Sequence, residues 1–423
     1  MGNNVLSRRN FLAGTSVLFV AGVATACSSS SSSSSSAGSK VTLTQWYHAY
    51  GEKGTQQAVE RYAAQYTKAN PDIAIKINWI AGDYETRLNS ALLSSDAPDL
   101  FELGDFRAAN VKSGRLAPLD DILSPVKSDY AKAALDTATV NGKVYGVKMM
   151  DDVMMLYYRK SMLAKAGVTP PQTFPELVAA AKKLTTGNQK GLFIGSDGVG
   201  DIPYLLLWSN GGDLVDPSGK TVTFASPEGV AAIGGLKDLN SSGGLLQGFT
   251  TDWFDPSALE QNATAMQWCG LWAMPDFKKT LGDDFGVIPW PKFGDAGAPA
   301  VRVGGWYHLV NAKGKNVAAA KKYVDWLWIQ QTALQKDWCV SYGFHIPSRK
   351  SVAAQTTEFS SGPAQEAATL SQQYGHSFPA VWNKTTTTAF IQAAAKIAKG
   401  GDAASELASA AKTCQAELDQ QNA

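Results

Sequence analysis

Cysteine is scarce, with four in 423 residues. Cys27 ends an apolar N-terminal stretch, which leaves Cys269, Cys339 and Cys414, an odd number with neither metal-site spacing nor a CxxC pair. They cannot all pair. A Cys269–Cys339 bridge stays open, and Cys414, at helical spacing from Leu407, Ala411 and Leu418, is expected to be a buried apolar residue. The four histidines, His48, His308, His345 and His376, are scattered without ligand spacing, which argues against a metalloenzyme. There is no GxSxG, no Walker-type loop and no GxGxxG; the glycines of Gly195 to Gly200 miss that spacing and read as a loop. Neither sign of charge is in excess, since 38 Lys and Arg face 37 Asp and Glu, and no basic run is present, so nucleic acid is not an expected partner. The apolar run Ala13–Val23 is too short to span a bilayer.

At 44% hydrophobic content the chain is long enough for two domains, each with its own core. Twelve Trp and fourteen Tyr supply surfaces that are apolar and can still form hydrogen bonds. Residues 1–26 combine Arg8-Arg9, a short apolar stretch and the small residues Ala24-Thr25-Ala26 before Cys27, the pattern of an export signal. The paired arginines before Phe11-Leu12 resemble a twin-arginine motif, and Ala24 to Cys27 resembles a bacterial lipobox, in which the Cys thiol is acylated. Residues 27–39 are serine-rich and read as a polar tether.

In the body of the chain, Val41 and Leu43 alternate with threonine in a strand ending at Trp46-Tyr47-His48. A helix up to Asn70, a strand over Ile73 to Trp79, a helix from Asp83 and a buried strand Pro98 to Leu103 follow. That alternation means parallel pairing with crossovers, which collects Trp46 to His48, Gly82 to Tyr84 and Gly104-Asp105-Phe106 on one sheet edge, where ligands bind. The stretch Asn141 to Gly167 organises the rest. Asn141-Gly142 is a turn, and a strand follows in which Asp151 and Asp152, being adjacent, must point to opposite faces. One carboxylate is then left for a cleft between lobes. A second αβ series runs from the capping box at Thr173 to Phe285–Trp290; Arg302 to Val310 reads as one strand with a glycine pair near its start, and two helices broken at Gly400-Gly401 close the chain.

The order of these segments, including SSDAPDLFEL, NGKVYGVKMMDDVMMLYYRK, LWSNGGDLV, VRVGGWYHLV and YGFHIPSRKS, resembles the extracellular solute-binding proteins of bacterial ABC sugar importers, the branch related to maltose-binding protein. The resemblance implies an α/β, two-lobed periplasmic-binding-protein-like fold of type II, with hinge strands between the lobes and the ligand cleft at their interface. One lobe is expected at 40–147 plus 304–355, the other at 148–303 plus 356–423. It implies a binding protein and not an enzyme, without cofactor or metal, that captures a carbohydrate, an oligosaccharide by expectation, through hinge closure and delivers it to permease subunits. The protein is expected to be a monomer, lipid-anchored through Cys27 to the outer face of the cell membrane.

A pyranose offers apolar C–H faces to rings and a rim of hydroxyls to carboxylates and amides. The expected ligand-binding residues are therefore Trp46, Tyr47, His48, Tyr84, Asp105, Asp151, Asp152, Trp253, Trp268, Trp272, Trp306 and Tyr307, with Asp252 as a further polar partner. Trp306-Tyr307 stands where many members of the family carry small residues, which adds ring surface. The alternatives are a non-sugar solute such as a glycerophosphodiester, polyamine or peptide, for which Arg302 or Arg349 would hold a phosphate, and a secreted glycoside hydrolase. Hydrolysis needs two carboxylates at a fixed separation, which adjacency in a strand does not supply.

Overall fold

The structure, a computed structural model, describes residues 40–104 and 108–422. The leader, the tether with Cys27, and Asp105 lie outside the described residues. Within the body, β1 (Val41–His48), β2 (Ile73–Ile80) and β3 (Leu100–Leu103) pair in parallel in the order β2-β1-β3. A hairpin of β4 (Thr139–Val140) and β5 (Lys143–Val144) turns through Asn141 and Gly142, whose φ values of 52° and 75° account for that dipeptide. β6 (Val147–Lys148) then leads directly into β7 (Met150–Arg159). β8 (Lys190–Phe193), β9 (Thr264–Gly270) and β10 (Phe285–Ile288) follow, then β11 (Val301–Gly304), β12 (Tyr307–Val310), β13 (Ile346–Pro347) and β14 (Gly375–His376).

These strands form two main sheets. The first has the order β2-β1-β3-β12-β6; the second runs β14-β11-β7-β9-β8, with β10 and β13 also paired to β7. Each sheet has its own core. Leu43, Tyr47, Phe101 and Leu309 of the first pack with Val59 and Tyr62 of the helix Thr55–Ala69 and with Val324, Trp328 and Trp338. In the second, β7 is covered on both faces, and its side chains divide by parity as a pleated strand requires. Met154 and Leu156 enter a cluster with Leu177, Leu205 and Phe390, while Val153, Met155 and Tyr157 enter another with Leu259, Phe277 and Ala367. Each such side chain contributes roughly 1.5–3 kcal/mol of burial.

Local signals placed several helices. Thr173 caps Phe174–Lys183 by accepting from Glu176 N, Ser226 caps Pro227–Gly234, and Asn383 caps Lys384–Ala398. Two sequence expectations are corrected. Arg302 to Val310 is two strands in different sheets, parted at Gly305, where φ is 120° and a Cβ would stand 2.0 Å from Met150 O. Only glycine passes that close to a neighbouring carbonyl, and the backbone leaves one sheet there to enter the other. Cys269 and Cys339 are not bridged: they lie in the cores of different sheets, and both are free and buried, as Cys414 is.

Candidate functional site

The chain crosses between the sheets at Met149, between β6 and β7, and at Gly305-Trp306, between β11 and β12. The two crossings lie side by side, joined by a hydrogen bond from Met149 N to Trp306 O of 2.8 Å. β13 sits against the start of β7, pairing Ile346 with Asp151. The parallel and antiparallel registers bring the ends of β1, β3 and β6 and the start of β12 to one edge of the first sheet. The ends of β8, β9 and β11 and the start of β7 share one edge of the second. Strand ends that meet at two crossing segments leave a cleft between them.

A cavity of about 630 Å³ occupies this region. Lys148, Asp151, Gly304, Gly305 and Tyr307 line it from the crossing strands, Ala134 from the first lobe, and Arg302, Gln372, Ser377, Phe378 and Trp382 from the second. Of its cations, Lys148 and Arg302 each face a carboxylate, and Lys350 Nζ donates to the Ser128 carbonyl at 3.2 Å. Lys148 Nζ stands 2.5 Å from Asp151 Oδ1 and 5.6 Å from the centre of the Tyr307 ring. Burial opposes the charge on Lys148, and Asp151 outweighs it, so the ammonium's pKa lies above its ordinary value. Arg302 pairs with Asp201 and covers the Phe378 ring at 4.4 Å. Arg349 is drawn inward, its Nε donating to Asp129 at 2.8 Å.

On the first sheet's edge, His48 lies parallel to the Trp306 indole, with centroids 3.8 Å apart and an interplanar angle of 14°, and Tyr50 meets the imidazole at 3.7 Å. Beneath them is Glu102, fully buried. Its Oε1 accepts from His48 N at 2.6 Å and faces His48 Nδ1 at 2.5 Å, and its Oε2 accepts from Tyr50 OH at 2.7 Å. On the second sheet's edge, Asp252 accepts from the main-chain N–H of Ser196 and of Trp253, which fastens the Gly195–Gly200 loop to the Trp253 segment. Trp253 and Trp272 are tilted at 58° with centroids 6.0 Å apart, and Trp272 Nε1 donates to Phe254 O. Phe254 is one of two large apolar residues left exposed among those described, at 54%.

Among the residues expected at a site, the fold brings Asp151 and Tyr307 onto the cavity wall, stacks His48 on Trp306, and places Trp253 beside Trp272. Among the remaining expected contacts, Tyr47, Trp268, Tyr84 and Asp152 are corrected by where the strands send their side chains. Tyr47, opposite in parity to its neighbours Trp46 and His48, is fully buried among Trp79, His308 and Trp338. Trp268 is fully buried edge-on to Trp290. Tyr84 is buried, its hydroxyl donating to Glu102 O at 3.0 Å, so it braces β3. Trp46 is half-buried against the first core. Asp151 and Asp152 point apart as adjacency requires, and Asp152 turns away from the cavity to His345 Nδ1. Sequence reasoning passed over Glu102, Lys148, His345, Phe378 and Trp382. An acid inside the buried run Leu100 to Leu103 was a usable signal for Glu102. His345 and Trp382 carry none, being brought in from distant segments.

Two lobes joined by adjacent crossing strands, with a cavity at the junction, define a two-lobed binding protein of the type II periplasmic class. The chain belongs to the bacterial extracellular solute-binding proteins, which it matches over residues 51–327. It is similar to a probable ABC transporter-binding protein of Deinococcus radiodurans, 30% identical over 212 residues that span 46% of this chain and 50% of that protein. It is also similar to a maltooligosaccharide ABC transporter solute-binding lipoprotein of Streptococcus pneumoniae, 26% identical over 66% of this chain and 67% of that one. The chain thus spans about half the length of the first of these curated relatives. Among solved structures it resembles the GacH receptor of Streptomyces glaucescens, determined unliganded and with acarbose, at a TM-score of 0.76 and 26% identity over 90% of this chain and 99% of that one.

Proposed function

We propose that this protein is the substrate-binding component of an ABC importer, which captures a carbohydrate, an oligosaccharide in the first instance, between its lobes and delivers it to the membrane permease. The observation that carries this is the cavity at the crossing strands, where Tyr307, Phe378 and Trp382 offer ring surface, Lys148 and Arg302 each have a carboxylate partner, and Lys350 is held by the Ser128 carbonyl. Such a wall suits a neutral polyhydroxyl solute: rings take the C–H faces, while Asp151, Gln372 and Ser377 accept or donate to hydroxyls. The relatives named for maltooligosaccharide and the receptor solved with acarbose support the same reading. Sheet membership supports lobes that divide near Met149 and Gly305, one or two residues from the boundaries expected at 147/148 and 303/304, while β13, within the expected first lobe 304–355, pairs with β7 of the second sheet.

The protein acts by binding and not by catalysis. Asp151 is the one carboxylate among the described residues lining the cavity, and Lys148 neutralises it, whereas glycoside hydrolysis takes two. Export by the leader and acylation of Cys27, with the serine run as tether and the body a monomer outside the membrane, complete the reading; no described helix is long and apolar enough to cross a bilayer. Arg302 on the wall favours a phosphodiester as the second reading.

Titration with maltotriose, arabinotriose, mannotriose and glycerophosphocholine tests it. Binding by one of the sugars should shift Trp emission, reduce the radius of gyration as the lobes close, and at a hundredfold excess over Kd stabilise the fold by about 2.7 kcal/mol. Response to glycerophosphocholine alone would favour the second reading, and silence toward all four would overturn both.

A further inference from the structure

Glu102 is a charged residue with no exposure, set among apolar neighbours on β3, and the cavity described above does not use it. Its surroundings say what it does. A carboxylate has no proton to give, and here both oxygens already accept, Oε1 from His48 N at 2.6 Å and Oε2 from Tyr50 OH at 2.7 Å. Burial, followed by the Glu102 charge, raises the Tyr50 pKa well above the ordinary phenol value, so the phenol keeps its proton and remains the donor. The third contact is His48 Nδ1, 2.5 Å from Oε1, and two acceptors cannot meet at that distance. Nδ1 must therefore carry a hydrogen. In the neutral ring the lone pair then lies on Nε2, which makes no hydrogen bond to any described residue, in a side chain that is 19% exposed at the end of β1. The imidazole cannot rotate out of this arrangement, because Tyr50 and Trp306 hold it at centroid distances of 3.7 and 3.8 Å.

We propose that Glu102 is a positioning residue that holds His48 as the Nδ1–H tautomer, so that Nε2 presents a bare acceptor beside the Trp306 ring to a hydroxyl of the ligand. This rests on the reading of the cleft as a carbohydrate site. A bare acceptor at the end of β1, on the sheet edge beside the crossing strands, fits the hydroxyl rim of a pyranose. Trp306, stacked on the imidazole, helps to hold it, His48 supplies the acceptor, and Glu102 acts only through His48.

The experiment is nitrogen NMR on unliganded protein carrying labelled histidine, with the His48 signals assigned by loss in His48→Gln. In the neutral ring, wild type should show a protonated Nδ1 and a bare Nε2. Glu102→Met keeps the approximate size and removes the acceptor that both His48 N and Nδ1 face, so the variant should shift toward the Nε2–H form. The reverse tautomer in wild type, or an unchanged one in the variant, overturns the proposal. The second arm measures affinity of both proteins for whichever of maltotriose, arabinotriose and mannotriose wild type binds. Glu102→Met should bind it roughly tenfold more weakly, in line with the loss of a well-placed hydrogen bond. Equal affinity alongside a changed tautomer would remove the role in binding. Should wild type bind none of the three sugars, the carbohydrate reading fails, while the tautomer arm still decides whether Glu102 sets the ring. Thermal melts of Glu102→Met keep unfolding apart from mispositioning, and if that variant does not fold, the wild-type tautomer alone carries the test.

Discussion

His308 and His345 are both buried, yet their neighbours drive their protonation in opposite directions. Burial holds the His308 pKa down to about 3, and the ring works as a neutral core residue, accepting at Nδ1 from Trp328 Nε1 and facing Gln45 Oε1 with Nε2 at 2.5 Å. Burial also opposes the charge on His345, but Asp152 at Nδ1 and Glu52 at 3.9 Å from Nε2 outweigh it, and the pKa is raised. The consequences for stability have opposite signs. The share due to His345 is complete below about pH 6.5, the unfolded value, and is lost as pH rises through the higher folded value; that due to His308 is present above about 6.5 and is lost as pH falls toward about 3. His345→Gln should therefore cost more stability in mildly acidic than in alkaline solution. Urea unfolding across that range reads the gap between variant and wild type, and a gap that widens with pH would refute the pairing. Neither histidine was legible as special in the sequence, because their partners lie far away along the chain.

At the scale of elements, much was readable. β1, β2 and β3 and the helix Thr55–Ala69 follow from alternation at two, a 3.6 period and the stop before Pro71. The division of Asp151 from Asp152 follows from the pleat alone. What alternation does not say is where a strand changes sheet, and so Arg302 to Val310 reads as one strand although it is two. Gly305 carries that change. Gly305→Ala places a Cβ 2.0 Å from Met150 O at φ 120°, so it should destabilise the fold by at least about 2 kcal/mol. Gly304→Ala meets only the flexible end of Met154 at 3.2 Å and should cost far less. Chemical unfolding of the pair checks this, and equal midpoints would show that the crossing tolerates a side chain.

For the whole molecule, the leader and the body make separate contributions. The lipid anchor proposed for Cys27 needs no contact with the lobes, since acyl chains hold by apolar transfer at roughly 0.8 kcal/mol per buried methylene. Cys27→Ala should release the protein from membranes into the medium, scored by fractionation, with ligand affinity unchanged; retention at the membrane would rule the anchor out. Local patterns in the sequence determined the kind of most elements, the parallel pairing of β1, β2 and β3 and the order of segments by which the chain resembles its family, because alternation, capping and turn chemistry act between near neighbours. Which rings are open and which are core was decided only by the tertiary structure. Tyr47 and His48 are adjacent, and Trp268 and Trp272 four apart, yet in each pair one ring is fully buried and the other partly open. The face a side chain takes depends on what packs against the strand from distant segments, and no local pattern encodes that.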